Sequence, residues 1–118
     1  MEKLKPKAYI LDWTVNDYSS LLEILTEQAI DFDIEQGTRN LIVNIPFTQL
    51  DLFSRIIQQQ LNSPVNYVDI QYPEMKLTVI IFKSEVFKIK TEEQNKEIKK
   101  WAINNGLPVQ QADWGVSF

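Results

Sequence analysis

Twice in the first half of this chain an apolar, strand-like run leads straight into a helix-start signal, and the two starts superpose at an offset of 34 residues. Trp13-Thr14-x-x-Asp17-x-x-Ser20 aligns with Phe47-Thr48-x-x-Asp51-x-x-Ser54. In each copy the threonine oxygen can accept from free helix N–H groups, and the aspartate suits the positive end of the helix dipole. The aromatic residue before the cap can close on an apolar one inside the helix, Trp13 on Tyr18 and Phe47 on Leu52. Helices are therefore expected from Thr14, with Tyr18, Leu21, Leu22, Leu25 and Ala29 at helical spacing, and from Thr48, with Leu50, Phe53, Ile57 and Leu61. A duplicated unit and two independent uses of good capping chemistry explain the match equally well.

The first strand is expected over residues 8–13. Between the two helices Phe32-Asp33-Ile34-Glu35 alternates as a strand does, Gly37-Thr38-Arg39-Asn40 reads as a turn, and residues 41–45 as the returning strand of a hairpin. Asn62-Ser63-Pro64 ends the second helix, and residues 65–72 form a further strand. The order β-α-β-β-α-β is that of a ferredoxin-like core. After a turn at Pro73-Glu74, residues 76–82 are apolar on both faces towards their end, so this strand needs cover on two sides. A strand over 86–90 follows, then a helix from Thr91, where Gln94 completes a capping box. Asn105-Gly106-Leu107-Pro108 closes it as a Schellman motif. That helix has apolar residues only late, at Ile98, Trp101 and Ala102, and the tail Trp114-Gly115-Val116-Ser117-Phe118 alternates with period two. The expected fold is one α+β domain over 1–118. Its ferredoxin-like core spans about 8–72, and residues 76–118 add a hairpin strand, a third helix and a short terminal strand.

The 118 residues, 44% of them hydrophobic, suffice for one core and not for two of ordinary size. With no cysteine and no histidine, the chain has no thiolate nucleophile, no cysteine- or histidine-based metal site, and lacks the commonest general base. No cofactor is expected. The apolar stretch 8–11 stops at Asp12, too short for a secretory h-region, and no run reaches transmembrane length, so the expectation is a soluble cytoplasmic protein away from membranes. Ten Lys against two Arg, with fourteen Ile, points by composition to a bacterial or phage source. A net charge of −4 disfavours a nucleic-acid partner, because phosphate neutralisation needs clustered cations. The charge is unevenly spread: eight acids against one Arg over 8–54 give −7, and seven Lys against four Glu over 76–100 give +3.

Asp31, Asp33 and Glu35 would project from one strand face and could be read as a site for a hard cation such as Mg²⁺. At roughly 3.3 Å per residue the outer two would lie about 13 Å apart, so at most two neighbours could share an ion. Asp12 ends the first strand, a position that often carries function, but the 37–40 hairpin adds no carboxylate beside it. Base stacking on a ferredoxin-like sheet would need aromatic residues on the central strands, and 41–45 offers none. Trp101, Trp114, Val116 and Phe118 are read as core or as interface candidates, a terminal strand being able to add to a neighbour's sheet edge. The reading is a non-catalytic interaction or regulatory module, a homo-oligomer such as a dimer or an acidic partner of another protein, as an antitoxin or immunity protein is. The alternative is a small metal-assisted enzyme using Asp12, Asp31 and Asp33.

Overall fold

The computed structural model describes the backbone of residues 7–27, 34–36 and 39–118, and side chains over 8–27 and 39–118. Six strands carry alternating or wholly apolar sequences into one antiparallel sheet: β1 (Lys7–Leu11), β2 (Ile34–Gln36), β3 (Asn40–Asn44), β4 (Tyr67–Tyr72), β5 (Leu77–Phe82) and β6 (Val86–Ile89). Their order is β2-β3-β1-β4-β5-β6. Three helices join them, α1 (Tyr18–Glu27), α2 (Leu50–Gln60) and α3 (Glu92–Asn104). The molecule is α+β, and among the described residues no helix is long and apolar enough to cross a membrane.

Because side chains alternate along a strand, the sheet sorts them onto two faces with different cover. On the first face Ala8, Ile10, Leu41, Val43, Val68, Ile70, Val79 and Ile81 meet Leu21 and Leu25 of α1 and Leu50, Phe53 and Ile57 of α2. On the second face Ile80, Phe82 and Ile89 meet Ala102 of α3, Leu107 and Trp114. All six residues of β5 are buried, as its sequence required, with helices on one side and α3 and the tail on the other.

Local chemistry explains the ends of α3. Thr91 and Gln94 form the expected capping box, with Gln94 N–H donating to Thr91 Oγ1 at 3.1 Å. At the other end Gly106 takes φ 108°, Leu107 N–H donates to the Ala102 carbonyl at 3.0 Å and Gly106 N–H to that of Ile103 at 3.0 Å, the two bonds of a Schellman motif.

Three expectations are corrected. Neither threonine caps its helix. A 3-10 turn (Asp12–Thr14) lies between β1 and α1, Thr14 Oγ1 donates back to the Leu11 carbonyl at 2.7 Å, and the α1 cap is Asp17, whose Oδ1 accepts from Ser20 N–H at 3.0 Å. A 3-10 turn (Phe47–Gln49) likewise precedes α2, which starts at Leu50 without a side-chain cap, leaving Thr48 outside it. With the starts displaced, Trp13 is no staple: it is 55% exposed. The tail, finally, is no strand. It lies over the second face in an irregular conformation, fixed by side chains instead of a ladder. Ser117 N–H donates to Thr78 Oγ1 at 3.0 Å, and Gln71 Nε2 donates to the Gly115 carbonyl at 2.8 Å.

Candidate functional site

The second face is only partly covered, and its bare part contains the most chemically coherent depression among the described residues. In β1 the inward Ala8 and Ile10 alternate with Tyr9 and Leu11, which are 54% and 42% exposed. The chain then turns through Asp12–Thr14 and presents Trp13 beside them. Antiparallel pairing of Ala8 with Ile70 sets β1 beside β4, and Tyr9 and Leu11 share one groove with Tyr67 and Asp69 across the β1–β4 boundary. A groove of about 390 Å³ follows this boundary, with Tyr9, Leu11 and Trp13 on one wall and Tyr67, Asp69 and Asp113 on the other.

Both walls are held in place. Asn62 Nδ2 donates to the carbonyls of Trp13, at 2.9 Å, and Val15, at 3.3 Å, while Asn62 N–H donates to that of Thr14 at 3.0 Å. Asn66 Nδ2 in turn donates to Asn62 Oδ1 at 2.6 Å. The exposed indole therefore stands on a loop tied by three hydrogen bonds from Asn62 alone. Opposite, the Tyr67 hydroxyl donates to the Gln111 carbonyl at 2.8 Å and to Asp113 Oδ1 at 3.3 Å, and its ring meets Trp114 edge-on at 5.2 Å. Burial, then the charges of Asp113 and Asp69 and the hydrogen bond to Asp113, push the Tyr67 pKa well up, so the hydroxyl stays a donor.

The groove is anionic. Asp69 and Asp113 line it, no Lys or Arg does so among the described residues, and Asp69 is contacted by the neutral amide of Gln71 at 3.3 Å. A surface with aromatic and aliphatic walls and carboxylates along one side can bind an apolar segment bearing positive charge. A second depression, between Asp51, Ser54, Arg55 and Lys88, mixes charges of both signs. There Arg55 Nε donates to the Asp51 carbonyl at 3.4 Å, and Lys88 Nζ stands 5.8 Å from the centre of the Phe47 ring.

The residues singled out from sequence are dispersed. Asp12 Oδ2 accepts from Arg39 Nε at 3.2 Å, which joins the end of β1 to the start of β3. Asp31 and Asp33, and the side chain of Glu35, lie outside the described residues, as do Gly37 and Thr38 of the expected turn. Among the described residues no three acidic side chains gather closely enough to hold a metal ion. Trp114 is buried, its Nε1 donating to Asn95 Oδ1 at 2.8 Å. Trp101 is half-buried, with Phe82 and Phe87 at 5.1 and 5.0 Å between ring centres. Val116 is half-buried and Phe118 is 39% exposed.

Tyr9, Leu11, Trp13, Tyr67, Asp69 and Asp113 were not among the residues expected to act. A signal for half of them was present: β1 is apolar on both faces, like β5, yet the sequence offers only one polar-faced third helix to cover two such strands. Asp69 and Asp113 gave none, because a lone acid on a strand and another in the tail meet only through the tertiary fold. No family model matches the chain, and searches of curated proteins and of solved structures found no match either.

Proposed function

We propose that this chain is a non-catalytic interaction module that docks a partner protein on the uncovered part of its sheet. One observation carries the reading: Tyr9, Leu11 and Trp13 form a contiguous exposed apolar strip on a tied scaffold, where a free-standing domain would be expected to bury such residues. Of the two versions, acidic partner and homo-oligomer, the carboxylates beside the strip support the first. The metal-assisted alternative draws no support from Asp12, which pairs through one oxygen with Arg39 and belongs to no group of three metal-ligating side chains among the described residues.

The scaffold reading is finer than α+β. The β2-β3-β1-β4 order, with α1 and α2 on one face, supports a ferredoxin-like core to which β5, β6 and α3 are added. A cytoplasmic setting belongs to the same proposal. A photo-crosslinking residue placed at Trp13 should give a discrete adduct in cells of the organism that makes the protein, and one placed at exposed Glu97 of α3 should not. Absence of a Trp13-specific adduct would remove the reading.

A further inference from the structure

Resting on the docking reading, we infer that the groove between β1 and β4 takes a basic peptide segment of another protein, with one Lys or Arg side chain seated between the aromatic wall and the Asp69–Asp113 pair. The walls fix the chemistry. Tyr9 and Trp13 line the groove with about half of their surface exposed, 54% and 55%, and a guanidinium or ammonium laid on an aromatic face is attracted by its quadrupole. Asp69 and Asp113 supply the opposite charge, and among the described residues no cationic side chain lines the groove to neutralise them. The Tyr67 hydroxyl uses one Asp113 oxygen, and Gln71 contacts one of Asp69, so each carboxylate keeps a second oxygen for an incoming donor. The volume of about 390 Å³ fits one long side chain and its neighbours, at the small end of binding clefts. Leu11, on the same strip, provides contact for an apolar residue flanking the cation.

The charge of the occupant follows from the same residues. An acidic segment would meet two like charges, and a nucleic acid would bring phosphates to them, so both are disfavoured. A second copy of this chain would have to present a lysine of its own, and it is the main competitor.

Selection from a displayed library of short random peptides, with the full chain as bait, separates the possibilities. The expected result is enrichment of sequences in which Lys or Arg neighbours an apolar residue. A synthetic peptide of the enriched type should bind more weakly at high salt, and at least tenfold more weakly to Asp69→Asn/Asp113→Asn, the scale of losing a charge-assisted bond. Trp13→Ala/Leu11→Ser should lose binding altogether, and circular dichroism should show both variants folded. Enrichment of apolar peptides without a basic preference, lost in Trp13→Ala/Leu11→Ser, would overturn the cation seat while keeping the docking reading. No enrichment would overturn both. Light scattering giving twice the 13.8 kDa chain mass, reverting in Asp69→Asn/Asp113→Asn, would make the occupant a second copy and overturn the basic-partner inference.

Discussion

Asn95 stands in α3 with 4% of its surface exposed, a position where a polar side chain must justify its burial. It does so by accepting from the Trp114 indole at 2.8 Å, a bond that ties the tail to α3. Asn95→Ala leaves a buried N–H unpaired and is expected to lower stability by about 1–3 kcal/mol in urea denaturation. Tyr72 is buried beneath the first face, donates to the Ile45 carbonyl at 3.1 Å, and has its pKa pushed up to about 12 by burial. An unfolded tyrosine ionises near pH 10, so the folded chain keeps a proton that the unfolded chain gives up. Its contribution is complete below about pH 10 and is lost as pH rises towards about 12. Tyr67, shifted in the same direction, adds to the effect. Urea midpoints measured across that range should fall, and should fall less steeply in Tyr72→Phe.

At the scale of elements, the sequence was legible where chemistry is local. The capping box and Schellman ending of α3 depend on residues at most six apart, and each forms as its residues dictate. The starts of α1 and α2 misled because Thr-x-x-Asp describes a cap only if the helix begins at once, and here a 3-10 turn intervenes in both cases. Val15, just before α1, bridges Leu61 at the far end of α2, a long-range pairing that spacing could not reveal. Asp17→Ala should therefore cost about 1 kcal/mol, whereas Thr48→Ala should be close to neutral. Chemical denaturation of the two variants side by side checks this, and a larger loss at Thr48 would contradict the helix boundaries. The same limit explains the groove. Strand alternation places Tyr9 and Leu11 opposite to Ala8 and Ile10, but which face goes uncovered depends on where α3 lands.

For the molecule as a whole, the tail decides how the second face is finished. Apolar strand surface on β5 and a polar-fronted third helix argued for cover by a second copy, whereas over β5 and β6 Trp114 supplies cover from within the same chain. Its ring lies 5.2 Å from that of Tyr67 and 6.3 Å from that of Phe82, with Lys99 Nζ 5.4 Å from its centre. The full chain is accordingly expected near its single-chain mass of 13.8 kDa in light scattering. Deleting residues 113–118 would strip Phe82 and Tyr67 of that cover, and the truncated chain should self-associate at the same concentration. A truncated chain that stays monomeric would show the tail to be dispensable.

A strand buried on both faces also sets a clock. The amides of β5 from Thr78 to Ile81 lie in a fully buried strand and between two paired neighbours, β4 and β6, so no fraying of an edge or lifting of one helix lets solvent reach them. Proton exchange with deuterated water at Val79, Ile80 and Ile81 then requires the entire sheet to open, and should be the slowest in the molecule. The rate at those three positions reads global opening directly, while the short outer strand β2 should exchange orders of magnitude sooner.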